Sequence, residues 1–199
     1  MKIPYEKTLK LSDAPTARIA CHLWPENNYA PETDLTLCYN QSALRVRLRA
    51  AEPVVTIVAR EDNGRVWEDS CLELFLAPYE DDPDYLNLEC NAAGAMIIGK
   101  GPNRENRVSV VEQIKPLMDV NVTVRPGKDW EVNYVLPFSM LEDLFGKPFA
   151  PEAGKKMRFN AYLCGDKTPQ PHYLAVVPID VAEPDFHRPE YFGEAVFGQ

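Results

Sequence analysis

The sequence lacks most of the features that announce an enzyme or a membrane protein. No apolar run approaches the roughly 20 residues a membrane-crossing helix needs. The opening MKIPYEKTLKLSDAP has early lysines but no apolar core behind them, which reads against a secretory signal and predicts a cytoplasmic protein. Its five cysteines (Cys21, Cys38, Cys71, Cys90, Cys164) are scattered without CxxC spacing. They read as reduced, buried thiols, not as a disulfide framework. His22, His172 and His187 lie in separate segments with no H-x-x-x-H, so no zinc site is read. No G-x-S-x-G is present, and Cys21–His22, the one adjacent thiol–imidazole pair, would be turned apart by strand alternation. Positive charge is the minority: 21 Lys and Arg face 30 Asp and Glu, for a net charge of -9. A nucleic-acid surface needs clustered cations, so neither nucleic acid nor membrane is expected as a partner.

Helical periodicity is also scarce. Only PFSMLEDLFG (137–146) reads as a helix, with Ser139 and Glu142 at capping-box spacing and Gly146 as its stop. Strand signals fill the rest: RIACHLW (18–24), DLTLCYN (34–40), ALRVRLRA (43–50), PVVTIVA (53–59), SCLELFLA (70–77), YLNLECN (85–91), AMIIG (95–99), VNVTVRP (120–126), WEVNYVLP (130–137), MRFNAYLCG (157–165) and HYLAVVPI (172–179). YNQSA and NAAGA have the Asn and Gly that hairpin turns tolerate, and GKGPNRENR (99–107) reads as a long exposed basic loop. About eleven strands without βαβ alternation predict an all-β fold: an antiparallel β-sandwich, jelly-roll-like, with one or two short helices. The 18 prolines fall mainly between strands, and no linker divides the chain, so residues 1–199 read as one domain.

Strand side chains alternate between faces, so parity sorts them. Leu72, Leu74 and Leu76 oppose Cys71, Glu73 and Phe75; Leu86, Leu88 and Cys90 oppose Asn87, Glu89 and Asn91; Met157, Phe159, Ala161 and Leu163 oppose Arg158, Asn160 and Tyr162. If these strands are neighbours, one sheet presents a dry face and a second face of carboxylates, amides and a guanidinium. Such planar groups suit a polyhydroxylated ligand, although a solvated sheet face is polar by default.

One ordered set of motifs carries a resemblance. Trp67, Asp69, Glu73 and Phe75 form W-x-D-x-x-x-E-x-F, followed by YLNLECN, Gly94, WEVNYVLPFS (130–139), MRFNAYLCGD (157–166) and PDFHRPEYFGEAVF (184–197). From about Arg18 onward the chain resembles the family 9 carbohydrate-binding modules. The resemblance implies a β-sandwich, non-catalytic sugar binding, a slot that clamps a terminal sugar between two tryptophans, and structural calcium. It puts Trp67 at a stacking position, Glu73 at a hydrogen-bonding carboxylate and Asn91 at a polar position of the same motif. Two positions depart from it. Glu89 stands where those modules carry a basic residue, and HYLAVVPI has no tryptophan for the second half of the clamp, leaving Tyr173, Phe186 and Tyr191 as stand-ins.

The expected ligand-binding residues are therefore Trp67, Glu73, Glu89, Asn91, Arg158 and Asn160, with no catalytic residue and no cofactor. On a straight strand Trp67 and Glu73 would stand about 20 Å apart, so one small ligand can touch both only if the chain bends near Trp67–Asp69. For calcium, EDNG (61–64) and YEDDPDY (79–85) offer oxygens, without the spacing of an EF-hand loop. Two other functions stay open: a small glycoside-processing enzyme using Glu73 and Glu89 as paired carboxylates, and a protein-interaction module using the same sheet face.

Overall fold

The structure, a computed structural model, describes residues 1–12 and 14–199. In chain order its strands are β1 (Lys2–Ile3), β2 (Thr16–Arg18), β3 (Cys21–His22), β4 (Thr33–Tyr39), β5 (Ala43–Ala50), β6 (Cys71–Ala77) and β7 (Tyr85–Asn91). After these come β8 (Met96–Gly101), β9 (Val108–Ser109), β10 (Asn121–Arg125), β11 (Asp129–Pro137), β12 (Lys156–Cys164), β13 (Tyr173–Ala175) and β14 (Gly193–Phe197). They form two sheets: a nine-stranded one ordered β1-β14-β12-β6-β7-β8-β9, with β13 joined to β12 and β3 to β13, and a five-stranded one ordered β10-β11-β5-β4-β2. Among these strands, every pairing but β1 with β14 is antiparallel. This is the expected β-sandwich.

Hydrophobic alternation explains the packing. On β5 and β11 the even-numbered residues Leu44, Val46, Leu48, Trp130, Val132, Tyr134 and Leu136 are buried, while Arg45, Arg47, Arg49, Glu131 and Asn133 are half-exposed on the other face. The buried set meets Leu72, Leu74, Leu76, Leu86, Leu88, Phe159 and Leu163 of the large sheet in one core. Burying a side chain of Leu size stabilises by about 1.5–3 kcal/mol, and a one-residue slip would turn the whole row outward.

The large sheet differs in one respect that matters for function. Every residue of β6 and β7 is buried, so both of its faces are covered. The second cover is built by residues 21–24, by 59–67 and by 173–192, whose Leu23, Trp24, Val66, Trp67, Tyr173, Ile179, Phe186 and Phe192 pack over Cys71, Phe75, Tyr162 and Cys164. The polar row is thus the floor of a covered space, not a solvated surface.

Several expected elements differ. PVVTIVA forms no strand: its backbone is held by side chains instead, with Thr56 N donating to Ser70 Oγ at 3.1 Å and Val58 and Ala59 N to the Asp69 carboxylate at 2.9–3.0 Å. RIACHLW is divided between sheets, since β2 joins the small sheet and β3 the large one. Helix α1 (Val111–Ile114) is a single turn, and α2 (Phe138–Phe145) begins one residue before Ser139. Ser139 therefore cannot cap α2, and Glu142 accepts from Phe149 N at 2.8 Å instead of closing a capping box. Gly146 does end the helix, in the left-handed region at φ 64°.

Candidate functional site

The register of the large sheet lines up the predicted row. Glu73 on β6 stands opposite Glu89 on β7 and Tyr162 on β12; Cys71 stands opposite Asn91 and Cys164. Where the cover parts, a cleft of about 530 Å³, measured out to its open mouth, reaches down to Glu73, Glu89 and Cys164. Its walls are Trp24, Trp67, Tyr173 and Phe186, with Arg104, Arg107, Asp166, Asp185 and His187 completing the rim.

The chain bends where Trp67 requires it. Val66–Glu68 is a turn of 3₁₀ helix, and the backbone beyond it becomes extended at Asp69. Asp166 N donates to Trp67 O at 3.2 Å and Lys167 N to Glu68 O at 3.0 Å, while the Lys167 ammonium pairs with Glu68 at 2.8 Å. The turn is thereby fastened to the end of β12, and Trp67 and Glu73 border one cleft. Trp24 reaches the same cleft from the N-terminal part of the chain. Pairing of β3 with β13 sets it beside Tyr173, ring centroids 5.8 Å apart, and Phe186 at 5.9 Å. Its Nε1 donates to Val181 O at 2.7 Å, and its φ of 42° lies where bulky residues are strained by about 1–2 kcal/mol. Phe186 in turn stacks on Tyr162 at 4.0 Å and 5°.

Electrostatics at the floor are set by burial. Glu73 and Glu89 are 2% and 3% exposed. Desolvation first, and the facing Glu89 second, hold the Glu73 carboxyl well above the usual carboxylate range, although the Cys164 thiol donates to it at 3.1 Å. Burial pushes Glu89 up to about 7 against the pull of Arg107, which lies 3.6 Å away. Asp166 rises to about 6, from burial and from Glu68. His187 falls to about 2, through burial and the neighbouring Arg107 and Arg104, and is therefore neutral. Arg107 donates to His187 Nε2 at 2.6 Å, so the ring proton sits on Nδ1 and is donated to Tyr85 Oη at 2.7 Å. Gly99 makes room for this: a Cβ there would lie 3.2 Å from Arg107 Cδ and 2.6 Å from Asn87 Oδ1.

Of the six expected binding residues, Trp67, Glu73 and Glu89 border the cleft; Asn91, Arg158 and Asn160 do not, and this corrects the reading of the face as one open surface. Asn91 is fully buried, donating to Ala59 O and Asp69 at 2.7 and 2.8 Å and accepting from Ala93 and Ala95 N. Asn160 donates to Val177 O at 2.9 Å and accepts from Ala161 and Val177 N at 3.0 Å. Arg158 donates to Pro189 O at 3.0 Å. These three fasten the cover. Of the proposed stand-ins, Tyr173 and Phe186 border the cleft and Tyr191 does not.

Four acids of the stretches named for calcium pair with lysines. Asp62 accepts from Lys115 at 2.6 Å, Asp84 from Lys100 at 2.6 Å, and Asp81 and Asp82 pair with Lys147 at 3.1 Å. Among the described residues one group has metal-ligand geometry: Cys71, Glu73 and Cys164, with donor atoms within 4.8 Å of one another beneath the cleft. All three are pushed toward their protonated forms, Cys71 and Glu73 chiefly by burial, and Cys164 by the hydrogen bond with Cys71 first and burial second.

Comparison with known proteins fits this arrangement. The profile of carbohydrate-binding family 9 matches residues 5–197. A crystal structure from Bacteroides uniformis, described as that of a candidate carbohydrate-binding protein, superposes with a TM-score of 0.84 at 28% identity, covering 99% of this chain and 98% of that one. Two structures of a family 9 module from Caldicellulosiruptor kristjanssonii share the fold. The cellotriose complex has a TM-score of 0.67 at 12% identity, covering 100% of this chain and 93% of that one. The glucose complex has 0.68 at 13%, covering 100% and 96%. No curated protein matches the sequence.

Proposed function

The chain belongs to carbohydrate-binding family 9, and from that premise we propose that it binds a saccharide without transforming it, in the cleft above Glu73 and Glu89. One observation carries this reading: Trp24 and Trp67, remote in sequence, border a single cleft floored by carboxyl groups. Indole faces offer apolar plates to the C–H face of a sugar ring, and carboxyl groups exchange hydrogen bonds with its hydroxyls. The Caldicellulosiruptor module, with the same fold, is seen with glucose and with cellotriose, which makes glucose and its short β-linked oligomers the first ligands to try. Calorimetric titration against mono- and oligosaccharides tests the reading. Saturable heat with at least one sugar is expected; heat of dilution across the whole panel would overturn it.

The facing carboxyls give glycoside hydrolysis one observation in its favour. Hydrolysis needs one carboxyl protonated and its partner ionised, whereas Glu73 and Glu89 are both pushed upward. Turnover of chromogenic glycosides, abolished in both Glu→Gln variants, would favour that reading over binding.

A further inference from the structure

We propose that the cleft is built for an acidic saccharide, a hexuronic acid unit whose carboxylate is received by Arg104 and Arg107; this rests on the saccharide-binding reading above. The loop 102–107 carries both arginines to the rim of the cleft. On a chain with a net charge of -9, two cations at the rim of this aromatic-walled cleft run against the overall charge.

Arg107 is held by His187 and loosely paired with Glu89. It donates to a neutral imidazole, His187 Nε2, at 2.6 Å, and its approach to Glu89 is 3.6 Å, longer than a hydrogen bond. Arg104 is exposed and makes no hydrogen bond or ion pair among the described residues, yet its charge is felt at Glu89, Asp166 and His187. Arg104 lines the cleft, close enough for its charge to act on three other lining groups. Of the carboxyl groups around it, two are paired with other cations, while Asp166 shares the rim and makes no ion pair with it among the described residues. Asp185 pairs with Arg188 at 3.0 Å and Glu68 with Lys167 at 2.8 Å. What remains at the mouth is a planar cation with unused donors, and a carboxylate is the group that matches it in charge and in fork geometry.

The test is calorimetry on the full chain at low salt with glucuronate against glucose and galacturonate against galactose, repeated with Arg104→Met. That variant keeps the aliphatic length and removes only a charge that holds nothing in the fold. The expected result is a uronate preference of about tenfold or more over the matched neutral sugar. The preference should shrink with added salt and fall toward one in Arg104→Met. Neutral sugars bound as tightly as their uronates would overturn the acidic-ligand inference and leave saccharide binding standing. Failure of neutral and acidic sugars alike would overturn both.

Discussion

Glu73 and Glu89 face each other across β6 and β7, both buried at the floor of the cleft. Like charges directly opposite on neighbouring strands repel, and burial adds the cost of desolvation, so the native fold holds protons that the unfolded chain releases. The unfolded carboxyl titrates near 4.5 and folded Glu89 near 7. Raised acid values mean that stability falls as pH climbs through that window and levels off above it. For Glu89 alone the loss across the whole window is on the order of 3 kcal/mol. Melting temperatures from pH 5 to pH 8 should decline in the wild type, and Glu89→Gln should flatten the decline. An equal slope in the variant would contradict the assignment.

Glu52 contributes a second share, away from the cleft. It is 2% exposed, burial pushes it up to about 7, and it accepts from Trp130 Nε1 at 2.7 Å and Ser70 Oγ at 3.4 Å. Its other neighbour, His172 Nε2 at 3.5 Å, brings no charge, because burial lowers the imidazole's affinity for a proton. Glu52→Gln keeps an acceptor for Trp130 and removes the titration. Urea denaturation should show it gaining stability relative to wild type between pH 6 and pH 8, with saccharide affinity unchanged.

Asn91 and Asn160 separate fastening from binding. Each has every side-chain group bonded inside the fold, and deletion leaves several buried backbone groups unpaired. Asn91→Ala and Asn160→Ala should each cost about 2–4 kcal/mol in denaturant unfolding. Whatever fraction stays folded should bind sugar with wild-type affinity. Weakened binding with undiminished stability would return these amides to the site.

How much of this was legible in the sequence depended on how local the cause was. Parity alone put Glu73, Glu89, Asn91 and Asn160 on one face, because strand alternation is a property of neighbouring residues, and the β6–β7–β12 register bears this out. Parity could not say that the face is covered. Its cover is largely irregular chain around 177–192, whose packing follows no period. Parity does not place Trp24 either: it enters the cleft only because β3 crosses to the large sheet and pairs with β13, a long-range contact. The resemblance points to the C-terminal region for a second tryptophan, whereas the second tryptophan at the cleft lies in RIACHLW, where it precedes Pro25 just after a short strand. PVVTIVA failed in the opposite direction. Its β-branched pattern is strand-like, but Asp69 and Ser70 satisfy its backbone before any ladder can.

The most direct test of the account is tryptophan fluorescence during a saccharide titration, on wild type, Trp24→Phe and Trp67→Phe. Trp130, the third indole, is fully buried in the sandwich core and supplies a constant background. A saturable change in the wild type, diminished in each single variant and absent in the double variant, is the predicted result. A change that persists in the double variant, with calorimetry reporting undiminished affinity, would place the sugar elsewhere and contradict the account.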